Sequence, residues 1–116
     1  MSKLYDTTQE KAHLHDTTMP LLQVMYSEFK ELSKKKPDAA VSKSKIKITN
    51  RLLEKVRKVL EDESQIEFLD LLDEDDIPQV SDVTLILSQY VVAMKTFKKS
   101  YYGSLDGGIN FDWFIK

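Results

Sequence analysis

Two histidines and a run of four acids are the residues whose types and spacing could do chemistry in this chain of 116 residues. His13 and His15 stand two apart, so on a helix they point about 200° away from each other. One metal ion cannot take both, because helical metal pairs sit three or four apart and need further ligands, which are not evident here. Asp73-Glu74-Asp75-Asp76 invites a calcium loop with Asp73 first and Asp75 third. The match then fails: Ile77 is fifth, Pro78 stands sixth where glycine is needed, and Thr84 stands twelfth where glutamate is needed. Catalysis by paired carboxylates requires a cleft that separates their pKa values, which a run of acids does not specify.

Cysteine is absent, which excludes disulfides, thiolate metal sites and cysteine nucleophiles. There is no glycine-rich phosphate loop, nucleophile elbow or dinucleotide fingerprint. The sequence therefore predicts no catalytic residue, no metal, no cofactor and no enzyme. An enzyme whose site is assembled only in the fold stays as a second alternative.

Charge is more informative than any short motif. The overall balance is −2, with a pI of about 5.7, but residues 34–58 hold ten Lys or Arg against Asp38 and Glu54, a net of +8. Residues 61–82 contain ten acidic side chains and no basic one. One reading lays these segments side by side so that they neutralise within the fold. Against it, Lys47–Arg51 and Arg51–Lys55 are like-charge pairs one turn apart, each costing roughly 0.2–0.5 kcal/mol unless an anion lies alongside. A partner would supply that anion. Nucleic acid is the alternative partner, through Lys43, Lys47, Arg51, Lys55 and Lys58, although the stripe has no interleaved aromatics and the acidic pI is opposite to the usual basic footprint.

The elements that must position these groups read as helices. A chain of this length buries roughly 60–70% of its unfolded surface around one core. Its three glycines all fall after residue 102, which favours helices over tight β turns. The first helix spans about Thr8 to Lys35, with Pro20 either kinking it or opening a second piece capped by Thr17 or Thr18. Leu21, Leu22, Met25, Phe29 and Leu32 form its apolar stripe. The second spans Ser42 or Ser44 to Leu60, with Ser42 as cap and Val41 stapled on Ile46. Lys45-Ile46-Lys47-Ile48-Thr49 also alternates, which leaves a short strand as a competing reading.

A short amphipathic helix is expected over Ile66, Phe68, Leu69, Leu71 and Leu72, ended by Asp73 to Pro78. The last helix, near 82–101, takes Ser81 as cap, Asp82 at its positive end and Val80 stapled on Leu85. Val83, Leu87, Tyr90, Met94, Phe97 and Tyr101 follow four-three spacing. Leu85, Ile86, Val91 and Val92 widen that arc to one surrounded by other helices. Gly103 is placed to stop it.

Ile109, Phe111, Trp113 and Ile115 then alternate with mostly polar neighbours, which is strand period. The expected fold is an all-α bundle of about four helices over 1–102 with an extended, strand-like aromatic tail over 103–116. The tail either folds back on a groove with Trp113 as anchor or docks on another chain, by strand addition or by inserting its aromatics. The N-terminus lacks a signal-peptide core, and Val83 to Met94 is too short to span a membrane. A cytoplasmic protein without a membrane role is expected. The function expected is a non-enzymatic interaction or regulatory module, such as an inhibitor, immunity-type or adaptor protein, with a protein partner or a second copy. Its sites would be Phe111, Trp113, Phe114 and Ile115 in the tail and Asp73, Glu74, Asp75 and Asp76 in the acidic turn.

Overall fold

A computed structural model describes residues 6–116. Three α-helices, α1 (Gln9–Lys35), α2 (Lys43–Val59) and α3 (Val80–Tyr101), are followed by two short strands, β1 (Tyr102–Ser104) and β2 (Phe111–Trp113). The strands pair antiparallel, with Tyr102 opposite Trp113 and Ser104 opposite Phe111. The described residues measure 50 × 24 × 20 Å.

Helix α1 packs against both α2 and α3. It begins at Thr8, whose hydroxyl accepts the Lys11 N–H at 3.1 Å, the usual use of an oxygen at an N-cap. Pro20 neither breaks nor restarts it. Thr17 and Thr18 are not caps: their hydroxyls turn back to the carbonyls of His13 and Leu14, at 3.0 and 2.8 Å. Pro20 removes the donor that Asp16 C=O would have met, but both residues are exposed, so water can replace it. Leu22 and Phe29 are buried as the stripe requires, whereas Leu21 is exposed.

Ser42 caps α2 as its position predicts, accepting Lys45 N–H at 3.2 Å. The alternating stretch 45–49 is helical, not a strand. Ile46, Thr49, Leu53, Val56, Val59 and Leu60 are buried in the core. The link between α1 and α2 lies against the start of α3, where Val41 N–H donates to Pro78 C=O and Val80 N–H to Ala39 C=O.

The amphipathic helix expected over 66–72 does not form, so the described residues hold three α-helices and not four. A 3-10 turn spans Ser64–Phe68, the backbone turns extended at Leu69, and residues 70–72 form neither helix nor strand. The physical reason is a set of side chains that take the hydrogen bonds a helix would have used. Asn50 accepts Leu72 N–H and donates to Leu72 C=O, both at 2.8 Å. Arg57 donates to Leu69 C=O, and the buried Tyr90 hydroxyl donates to Asp70 C=O at 2.8 Å. Leu69 and Leu72 thereby enter the core. Asn50→Ala is expected to cost about 1–3 kcal/mol, because two part-buried backbone groups lose their partners. Urea denaturation measures the loss, and hydrogen exchange should show the Leu72 amide opening faster.

Helix α3 starts earlier than its sequence implies. Gln79, not Ser81, is the cap, and its N–H donates to the Asp82 carboxylate at 3.0 Å. Val80 is buried while Leu85 is exposed, so the expected staple is not made. Leu85 and Val92 leave one face of α3 open to solvent, which makes the helix less enclosed than its apolar arc predicts. Gly103 does not stop it: the chain passes from Tyr101 directly into β1. A Cβ there would meet the Phe114 ring at 3.1 Å, so any larger residue requires that ring to shift by a few tenths of an ångström.

Candidate functional site

The aromatic tail is held by its own chain. Trp113 is buried, its ring centroid 5.1 Å from His15, 6.0 Å from Phe97 and 5.3 Å from Tyr102. Its indole N–H donates to the Asp16 carboxylate at 3.1 Å. Thr7 N–H donates to Phe114 C=O and Lys116 N–H to Thr7 C=O, which ties the segment before α1 to the chain's last residues. Phe114 is half-buried, whereas Phe111 and Ile115 are exposed. The hairpin loop is fixed by Asp106, whose carboxylate accepts Asn110 Nδ2 at 2.7 Å and Gly108 N–H at 2.9 Å. Those bonds, the Asn110 one foremost, hold its carboxyl below the ordinary value.

His15 is buried, and its Nε2–H donates to Met94 C=O at 2.8 Å, which joins α1 to α3. Its Nδ1 has no hydrogen-bond partner. Burial lowers its pKa from the ordinary 6.5, since the imidazolium would bring a second N–H into an apolar site. The fold therefore favours the neutral ring. This contribution to stability is fully present above pH 6.5 and is lost as pH falls through the lowered folded value. A urea midpoint that drops on acidification, with a shallower drop in His15→Phe, is the expected result. His13 is exposed and faces away, and no cluster of three or more His, Cys, Asp or Glu that could hold a metal ion occurs among the described residues.

The acidic residues Asp73, Asp75 and Asp76 are exposed and Glu74 is half-exposed, in a turn closed by Asp76 N–H on Asp73 C=O. They do not neutralise the basic helix by contact. Among the described residues, the ion pairs are Lys11 with Asp62 and Lys34 with Glu31, so Lys43, Lys47, Arg51, Lys55 and Lys58 have none. All five are exposed on α2. The stripe's exposure on one helix was legible in the sequence, and the surface beside it was not.

That surface is a groove of about 600 Å³ between α1 and α2, with an apolar floor of Leu14, Leu21, Val24, Met25, Ile48 and Leu52 and a basic wall of Arg51 and Lys55. A smaller hollow of about 220 Å³ shares Met25, Glu28 and Ile48 with it and extends it toward Leu32 and Lys45. Leu21, Val24 and Ile48 are 56%, 58% and 51% exposed. Geometry explains why. Leu22 and Phe29, on one face of α1, fill the core, while Leu14, Leu21, Met25, Glu28 and Leu32 recur at the spacing of a second seam facing α2. The available signal was that α1 carries more apolar positions than one stripe requires. No family model, curated protein or solved structure matches this chain. No helix of the described residues is long and apolar enough to cross a membrane.

Proposed function

We propose that this chain is a non-enzymatic protein-interaction module, and that the groove between α1 and α2 is its recognition surface. The observation that carries this reading is the exposure of Leu21, Val24 and Ile48 lining one groove beside basic side chains that have no ion partner among the described residues. Contiguous exposed apolar patches rimmed by polar groups are characteristic of interaction sites, and a trough between two helices suits an amphipathic segment. Charge states which segment. The α2 wall is basic while the α1 side carries Glu28, so the partner presents apolar side chains flanked by Asp or Glu where it faces α2. Such a partner also removes the like-charge cost among Lys47, Arg51 and Lys55.

A labelled peptide with leucines at heptad spacing and glutamates on its flanks is the direct probe. Saturable binding is expected, weakening as salt rises because the exposed charges are screened. The same peptide with lysines in place of the glutamates should bind far less. No binding, or binding untouched by Ile48→Gln with Arg51→Gln, contradicts the proposal. Duplex DNA and single-stranded RNA belong in the same titration. Binding there that falls with salt and with neutralisation of Lys47 and Arg51 assigns the stripe to phosphates instead.

A further inference from the structure

We propose that the occupant of the groove is a second copy of this chain, which presents its own acidic ridge at residues 67–77. The inference rests on the groove being a docking site and names what docks there. The ridge is the chemical complement of the groove. Phe68, Leu71 and Ile77 are 69%, 39% and 61% exposed, and they stand among Glu67, Asp70, Asp73, Asp75 and Asp76, all exposed and none in an ion pair with a described residue. One surface is apolar with basic flanks; the other is apolar with acidic flanks.

The ridge is also built to hold its shape. Asn50, Arg57 and Tyr90 anchor the backbone at Leu69, Asp70 and Leu72, so little ordering remains to be done on binding. Ile77 lies at the end of the ridge. Its φ is +45°, a left-handed conformation that a β-branched side chain rarely adopts. Strain of this kind persists where the surroundings impose it and concentrates at functional segments. Here it does not place the side chain in the core: Ile77 remains mostly in solvent beside the acids.

The two surfaces of one molecule cannot meet. Asn50 and Arg57 hold the ridge on one side of α2, while Ile48, Leu52 and Lys55 line the groove, roughly 140–180° around the helix at 100° per residue, with Arg51 on the rim between them. The contact is therefore between copies, ridge to groove. Such a heterologous contact runs head to tail, building open chains or closing into a ring.

Two variants test this without disturbing buried residues. A groove variant carries Ile48→Gln, Arg51→Gln and Lys55→Gln. A ridge variant carries Phe68→Ser, Leu71→Ser and Ile77→Gly, the last of which relieves the positive φ. Circular dichroism confirms that each is folded, and Leu21→Gln with Val24→Gln is a second groove variant. In sedimentation velocity over a concentration series, the full chain should assemble at low salt and do so at least about tenfold more weakly near 1 M salt, where the Debye length is ~3 Å. Each variant alone should stay a single copy. Mixed in equal amounts they should form a dimer and nothing larger, because each retains the surface that the other lacks. A full chain that stays single at low salt, variants that assemble as the full chain does, or a mixture that forms no dimer overturns the inference. If the glutamate-flanked peptide still binds in that event, the groove remains a docking site for another protein; if it does not, both readings fall together.

Discussion

Trp113→Ala is expected to lower the unfolding free energy by about 3–5 kcal/mol, the usual cost of deleting a buried aromatic side chain, while α1, α2 and α3 stay helical. Trp113 is the only tryptophan, and it closes the end of the bundle where α1, α3 and the hairpin meet. Its ring packs on His15, Phe97 and Tyr102, and its N–H occupies the Asp16 carboxylate. Removing it leaves a cavity against the His15 ring, whose Nδ1 already lacks a partner, so the site has few ways to collapse productively. Urea denaturation followed by circular dichroism measures the change. The intact protein should show blue-shifted tryptophan emission that moves to the red on unfolding, as a buried indole does. A loss under about 1 kcal/mol would place Trp113 among surface residues and return the tail to the list of docking elements.

The second large effect concerns binding rather than stability. Leu21→Asp combined with Ile48→Asp is expected to weaken binding of the glutamate-flanked peptide by at least about 100-fold, since central apolar anchors typically contribute ~2 kcal/mol or more each. The same pair should leave stability almost unchanged. Both side chains are more than half exposed, and substitutions at such positions usually stay within about 0.5 kcal/mol. The contrast separates a recognition surface from a packed one. A variant that binds less only because it unfolds would lose both properties together, so thermal unfolding and peptide titration on one preparation distinguish the cases.

Legibility in the sequence followed the range of the interactions. Ser42 is a cap readable from its own neighbours, because an N-cap oxygen meets an N–H three residues on, and the helix it opens stands where expected; the first helix also begins where its pattern does, although Thr8 caps it rather than forming its first turn. The segment 66–72 was not legible, since its conformation is decided by Asn50, Arg57 and Tyr90, residues 12 to 22 positions distant in the bonds they make to it. Local apolar spacing there is compatible with a helix. It loses to side chains that satisfy a non-helical backbone. Gln79 likewise displaces Ser81 as cap, in a region where Val80 and Ser81 donate to Ala39 and Pro37.

The basic stripe and the acidic turn were visible as composition, and both lie exposed. Whether they meet was a question of topology. Residues 69–72 are fastened to Asn50 and Arg57 of α2, and among the described residues the acids form no ion pair with its exposed lysines. The groove was the hardest feature to see. Leu21, Val24 and Ile48 belong to two helices; Leu21 looks like an ordinary member of its apolar stripe, while Val24 and Ile48 fall outside the stripes read for their helices. Their exposure arises because α2 covers the second seam of α1 only in part, half-burying Leu14, Met25 and Leu32 while Leu21 stays in solvent.

The most direct measurement is a methyl chemical-shift map of the protein during titration with the glutamate-flanked peptide. Binding in the groove predicts that the methyls of Leu21, Val24, Met25 and Ile48 shift progressively and saturate together, while those of Leu105 and Ile109 in the hairpin loop and Leu85 and Val92 on α3 stay in place. Shifts confined to the hairpin or to α3, or no shift at saturating peptide, would contradict the account and remove the groove as the site of recognition.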